Sequence, residues 1–253
     1  MSRRRIYLMR HAAVAYFDDG RPLRPNDVPL TEEGIEQARA AGEALAPVPF
    51  DRVLTSGLPR TVETARVVAP EVEAESWPDL RELESGRLGD IPEDELERTF
   101  VHAFHGVVPE DARFLGGETI GSLFDRVLPA LDRLLADREW DVVLAVLHGG
   151  VNRAILSHAL TSTSTFLGGF EQAPACINVL DVDDVGAARG ADHQDVRASP
   201  ARPSETTGRP ADGSLAPRRD WIVRAVNVTP YDPVHLRGRL TTMEELWSQF
   251  RST

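Results

Sequence analysis

The chain has 253 residues, which allows one large α/β domain or two small ones with a full hydrophobic core. Hydrophobic residues make up 42% and charged residues 27%, an ordinary globular balance that excludes a disordered or collagen-like chain. Lys plus Arg number 28 against 40 Asp plus Glu, and the net charge of −12 disfavours non-specific nucleic-acid binding, so any phosphate ligand needs a local arginine cluster.

In chain order, residues 6–9 are short and apolar, a buried strand that ends at Arg10 and His11. Thr31 then has the chemistry of a helix N-cap, with Glu32 and Glu33 suited to the positive end of the helix. Ile35, Ala38, Ala41 and Leu45 mark its buried side, and Pro47 stops it. Residues 53–55 form a second short strand, Ser56 caps the following turn, and Pro59 is tolerated in the first helical turn. Arg60 therefore lies at a helix N-terminus, where free N–H groups already favour anions.

Gly116-Gly117-Glu118-Thr119 opens a third helix through Leu123, Val127, Leu131 and Leu134, with a kink or break expected at Pro129. Val142–Leu147 is the strongest strand pattern, a central parallel strand ended by His148-Gly149-Gly150. A helix over 151–160, a strand over 177–182, a returning strand over 221–228 and a short helix over 241–250 complete the series. Between them, 186–219 is rich in Pro, Gly, Ser, Thr and Arg and poor in aliphatic residues, the composition of a flexible insertion. Repeated strand–loop–helix units imply an α/β fold, a three-layer αβα sandwich over a mostly parallel sheet, with ligands beyond the carboxyl ends of the strands.

Arg10-His11, Arg60, Glu82 and His148 all fall at ends of expected elements. Each taken singly has a plain structural reading: a satisfied histidine, a surface ion pair, a solvated carboxylate. Together they are what phosphoryl transfer through histidine requires. A neutral imidazole attacks, arginines clamp the phosphoryl oxygens, a carboxyl group moves the proton, and a second histidine meets the transition-state charge.

Leu8-Met9-Arg10-His11-Ala12, the stretch from Asp27 to Ala38, Ser56-Gly57-Leu58-Pro59-Arg60-Thr61-Val62-Glu63-Thr64-Ala65, Leu80-Arg81-Glu82, Gly116-Gly117-Glu118-Thr119 and Val146-Leu147-His148-Gly149-Gly150-Val151-Asn152-Arg153 occur in this order. The series resembles the histidine phosphatase superfamily, the phosphoglycerate mutase-like clan (branch 1), over about residues 5–182, and looks like a phosphatase-type member. The resemblance implies one domain over 1–253 with the phosphoglycerate mutase-like fold. It implies His11 as phosphorylated nucleophile, Glu82 as proton donor, and Arg10, Arg60 and His148 as the phosphate pocket. Asp79 and Glu84 remain alternative donors. Ala12 departs from the glycine usual after the Arg-His pair, and its methyl could crowd the phosphate or shift the turn.

The function expected is a metal-independent phosphomonoesterase acting on a small phosphorylated metabolite, without cofactor. The alternatives are a cofactor-dependent phosphoglycerate-type mutase and a catalytically weak phosphate-binding domain. Glu82 and Glu118 are 36 positions apart, a shorter span than in the mutases this chain would resemble, which favours hydrolysis. His102 and His105 have no matched third ligand, so no metal is expected. Leaving-group recognition is expected from 12–26, from 83–114 and from the insertion, with Phe17, Trp77, Phe100, Phe104 and Phe114 as either an aromatic wall or core. The single cysteine, Cys176, excludes an internal disulfide and fits a cytoplasmic location. Neither a bilayer-length apolar run nor a signal core stands out, so no membrane partner is expected. A homodimer is left open by the base rate of soluble oligomers.

Overall fold

The structure is a computed structural model; it describes residues 3–18, 21–23, 26–86, 91–185, 218–234 and 240–251. Strand β1 (Arg4–Arg10) leads through a small ribbon of β2 (Phe17–Asp18) and β3 (Arg21–Pro22) into α1 (Glu32–Leu45). Thr31 caps α1 as its pattern predicts, its hydroxyl accepting from the Gly34 N–H at 3.0 Å. Then follow β4 (Arg52–Thr55), α2 (Pro59–Val68) and β5 (Ala74–Ser76). A 3₁₀ turn at Pro78–Leu80 precedes α3 (Glu93–Val101), β6 (Val107–Val108), a second 3₁₀ turn at Phe114–Gly116 and α4 (Ile120–Ala136). The chain ends with β7 (Val142–Leu147), α5 (Gly149–Thr161), β8 (Phe166–Leu167), β9 (Ile177–Val185), β10 (Arg218–Val228) and α6 (Thr242–Arg251).

Six strands form one sheet in the order β10-β9-β1-β7-β4-β5. The β1, β7, β4 and β5 pairings are parallel, while β9 pairs antiparallel with β1 and β10 antiparallel with β9. The expected three-layer, mostly parallel sandwich is therefore present, with β7 central. Alternation along β7 shows how the layers divide. Val143, Ala145 and Leu147 join the cluster made with Leu123, Val127 and Leu131 of α4 and Val151 and Ile155 of α5. Leu144 and Val146 join the cluster made with Ala38, Ala41 and Leu45 of α1 and Ala65 and Val68 of α2. A strand covered on both faces needs an unbroken apolar run, and β7 has one.

Two local expectations differ from the structure. The helix α4 runs through Pro129 without a break. The proline removes one backbone hydrogen bond, but Val127, Ala130, Leu131 and Leu134 are buried around it and hold the helix to the sheet. Ile35 is only half-buried, and Gln37 takes a buried position instead, its Oε1 accepting from the Ala13 N–H at 3.0 Å. The short elements β5 and α3 go beyond the sequence expectation; each has too few residues for a clear period. Of the expected insertion, 186–217 lie outside the described residues, and Arg218 and Arg219 already belong to β10. No helix among the described residues is long and apolar enough to cross a membrane.

Leu144 is fully buried in the middle of β7. Leu144→Ala should lower unfolding stability by roughly 2–5 kcal/mol in urea melts, without touching the residues at the strand ends.

Candidate active site

The parallel pairing of β1 with β7 places Arg10 opposite Leu147, so the next residues, His11 and His148, leave the sheet together. The His11 N–H extends this ladder, donating to Leu147 O at 2.9 Å. The two imidazoles are buried with ring centroids 5.3 Å apart, inclined at 65°. His11 Nδ1 is 2.8 Å from Ala12 O. A carbonyl only accepts, so Nδ1 carries the proton and Nε2 of the neutral ring keeps its lone pair.

The second histidine is oriented by a hydroxyl chain. Thr61 Oγ1 donates to Leu58 O at 2.8 Å, so its bond to Ser56 Oγ at 3.1 Å is one in which Ser56 donates. Ser56 Oγ then accepts from His148 Nε2 at 2.7 Å. This fixes the His148 tautomer and leaves Nδ1 bare, buried and without a hydrogen-bond partner among the described residues. Ser56 therefore orients His148. The α2 N-cap position itself is Leu58, with no side-chain cap bond.

Two guanidiniums surround the pair. Arg10 Nη1 donates to Gln172 O at 2.5 Å, while its buried Nε has no partner among the described residues. Arg60 is buried in the first turn of α2, near the charges of Glu82 and Arg10. Burial above all, and then Arg10 and Arg60, holds the His11 pKa well below the usual imidazole range. His148 is lowered in the same way by burial first, then by His11, Arg60, Arg10 and Arg126.

Glu82 approaches from the turn after Pro78–Leu80. Its Oε1 accepts from the Leu83 N–H at 2.9 Å and the Gly150 N–H at 3.1 Å. The glycines after His148 make room for it. A Cβ at Gly150 would stand 2.7 Å from Glu82 Oε1, and one at Gly149 would stand 3.8 Å from Glu82 Oε2 and 3.7 Å from Arg10 Nε. The alternative donors point elsewhere: Asp79 pairs with Arg133 at 3.1 Å, and Glu84 is exposed. The structure thus brings His11, Arg10, Arg60, Glu82 and His148 together.

Ala12 does not obstruct this arrangement. It is buried, it has no positive φ that would require glycine, and it belongs to the apolar cluster under α1 and α2. Its N–H donates to Thr64 Oγ1 at 3.1 Å.

A cavity of about 290 Å³ opens from His11. Its near side is formed by Ala13, Val14 and Tyr16, within the expected 12–26. Its far side is formed by Asn227, Thr229 and Tyr231 and by Thr242, Glu245 and Gln249 of α6, none of which the sequence reading singled out. No described residue from 83–114 lines it. The aromatic wall is core instead: Phe104 stacks on Phe114 at 5.2 Å, Phe100 meets Trp247 at 6.0 Å, and Trp77 lies under Arg133 at 4.5 Å. The Phe17 side chain lies outside the described residues. His102 and His105 face each other at the end of α3 with Nδ1 atoms 3.2 Å apart; among the described residues no group of three or more ligands is placed to hold a metal. Burial pushes the Cys176 thiol up to about 12, so it is not a nucleophile near neutral pH.

Residues 6–190 match the family of the histidine phosphatase superfamily (branch 1). The chain belongs to that superfamily. An adenosylcobalamin/alpha-ribazole phosphatase of Salmonella typhimurium is 29% identical over 187 residues, 70% of this chain and 90% of that protein. A protein of Salmonella paratyphi A named as a probable phosphoglycerate mutase is 31% identical over 153 residues, 57% of this chain and 69% of that one. The crystal structure of the alpha-ribazole phosphatase from Shigella flexneri superposes with a TM-score of 0.59 at 26% identity, over 71% of this chain and 91% of that one. The superfamily match ends before Asn227, so the far wall of the cavity lies outside it.

Two outcomes follow. Ala12→Gly should leave turnover within about twofold of the parent and lower stability by about 1 kcal/mol, through a lost buried methyl and a looser unfolded chain; steady-state rates and urea melts check both. For pH, the folded chain keeps His11 and His148 neutral while the unfolded chain protonates them below about 6.5. The unfolded state then binds more protons, so each histidine removes up to about 1.4 kcal/mol of stability by pH 5.5 and nothing above neutrality. The loss in urea melts between pH 8 and pH 5.5 should be smaller in His11→Gln.

Proposed function

We propose that this chain is a metal-independent phosphomonoesterase that hydrolyses a small phosphorylated metabolite through a phosphohistidine on His11. The observation that carries the reading is the His11 Nδ1–H to Ala12 O bond beside two guanidiniums, because it presents a neutral Nε2 where a phosphate would be held. In this mechanism Arg10 and Arg60 hold the non-bridging oxygens, and Nε2 attacks phosphorus in line with the leaving oxygen. The new bond is N–P and the bond broken is P–O. Glu82 as the carboxylic acid gives its proton to the departing alkoxide, then as carboxylate takes one from the water that attacks the phosphohistidine. His148 Nδ1, without a partner among the described residues, meets the equatorial oxygens, its proton supplied by the bound phosphate group.

The cleft supports hydrolysis over the mutase alternative. Glu33, Glu171 and Glu245 line the cavity that opens from His11 and Arg10, which on this reading receives the leaving group. Partial burial, with Glu171 and then Glu33, holds the Glu245 carboxyl above its usual range. The second anionic group of a phosphoglycerate would face these carboxylates, whereas a neutral or cationic alcohol would not. The greater coverage of the alpha-ribazole phosphatase relative points the same way.

The test is phosphate release from a panel of phosphomonoesters in the presence of chelator, for the parent and His11→Ala. The parent should release phosphate, at least tenfold faster from esters of neutral or cationic alcohols than from phosphoglycerates, and His11→Ala should release none above background. Release retained by His11→Ala would remove the covalent step. Interconversion of phosphoglycerates outpacing their hydrolysis would establish the mutase.

A further inference from the structure

The acid–base carboxylate Glu82 sits on a segment with no regular structure. Residues 81–86 belong to neither helix nor strand, so no backbone ladder fixes them. One side chain supplies what the ladder does not. Arg126, in the second turn of α4, donates from Nη1 to Asp79 O at 2.8 Å and to Arg81 O at 2.6 Å. Its Nη2 donates to Glu82 O at 3.2 Å. A single guanidinium therefore binds one carbonyl of the preceding 3₁₀ turn and two of the segment, ending on that of Glu82 itself.

The fork is held in turn by Glu118. Arg126 Nε and Nη2 donate to Glu118 Oε1 and Oε2, each at 2.8 Å. Burial alone would raise the Glu118 carboxyl, but the bonds from Arg126 and from the Glu84 N–H outweigh it and keep it below its usual range. Glu118 Oε2 also accepts from the Glu84 N–H at 3.1 Å, and the Glu118 N–H donates to Glu84 O at 2.8 Å. Gly117 permits this contact, since a Cβ there would lie 2.1 Å from Glu84 O. The Gly116-Gly117-Glu118-Thr119 motif thus has a physical use: it lets two backbones meet, anchors Arg126 and caps α4 through Thr119.

We propose that Arg126 is the positioning residue for Glu82, holding its main chain from one side while the Leu83 and Gly150 N–H groups hold its carboxylate from the other. The proposal rests on Glu82 being the proton donor and goes beyond that reading to the side chain on which the donor's placement depends. Arg126 does not line the cavity and touches no reacting atom. Its loss should be felt chiefly in the step that needs the Glu82 proton, with a smaller effect common to all esters through its charge near His148. Lysine is a poor substitute, because one ammonium cannot reproduce five bonds spread over a planar fork.

The experiment compares glycerol 2-phosphate, whose alkoxide needs a proton to leave, with p-nitrophenyl phosphate, whose phenolate does not. kcat/KM, which reports phosphorylation of His11 and not the later water attack that also uses Glu82, is measured for the parent, Glu82→Gln, Arg126→Met, Arg126→Lys and the Glu82→Gln/Arg126→Met double variant. Arg126→Met should slow the alkyl ester on the order of tenfold to a hundredfold, as misplacement of a catalytic group does, and the aryl ester by no more than about threefold. Arg126→Lys, which keeps the charge, should fall between if Arg126→Met does not fold. In the double variant, Arg126→Met should add no further loss that depends on the leaving group. Equal losses on both esters, or a full alkyl-specific loss added to that of Glu82→Gln, would overturn the proposal. If Glu82→Gln itself fails to separate the two esters, the donor assignment falls and the role of Arg126 falls with it. If Glu82→Gln separates them and neither Arg126 variant does, only the role of Arg126 falls.

Discussion

The site depends on one register: β1 and β7 are parallel neighbours, and their last paired residues are Arg10 and Leu147. A shift of one residue would turn the two histidines to different depths and opposite faces. The apolar alternation of β7 between two cores prevents that shift, since every side chain on the strand would change cores with it. The geometry of the candidate site is therefore set by packing that has no chemistry of its own.

Around that register, polar groups are arranged so that each leaves one atom available. His11 uses Nδ1 on a carbonyl and keeps Nε2. His148 uses Nε2 on Ser56 and keeps Nδ1. Arg10 uses Nη1 on Gln172 O and keeps Nε. Burial and the neighbouring positive charge keep both imidazoles neutral, which is the state a nucleophile needs. The same features make the empty site costly when acid forces protons on it.

Much of this was legible in the sequence because it is local. Strand ends, helix caps and glycine pairs announce themselves within a few residues, and Arg10, His11, Arg60 and His148 each sit on such a signal. Glu82 also falls at an element end but on an irregular turn beside other carboxylates, and only the family resemblance selected it over Asp79 and Glu84. What stayed hidden is relational. Ser56 reads as a turn cap and is one, accepting from the Leu58 N–H at 3.4 Å, yet nothing local shows that it also meets His148, 92 positions away. Arg126 reads as an ordinary surface charge on α4, because nothing within its own helix shows that its partners are carbonyls more than forty positions earlier. Phe100, Phe104 and Phe114 could not be divided between wall and core without knowing which way their segment turns. A signal for the far wall did exist: Thr242, Glu245 and Gln249 repeat at helical spacing opposite the apolar Met243, Trp247 and Phe250.

That far wall also shows a division of labour along the chain. The reacting groups fall between Arg10 and Gly150, inside the stretch shared with the superfamily, while the opposite side of the cleft is drawn from residues 227–249, beyond it. On the proposed function, the chemistry lies in the first passage and one side of the substrate cleft in the second, joined physically where Arg10 donates to Gln172 O and Thr242 to the neighbouring Glu171 Oε1. If the proposed function holds, a lineage built this way can rewrite the tail to take up a new alcohol while inheriting the phosphate machinery untouched, and a change in the last thirty residues then reads as a change of diet rather than a loss of trade.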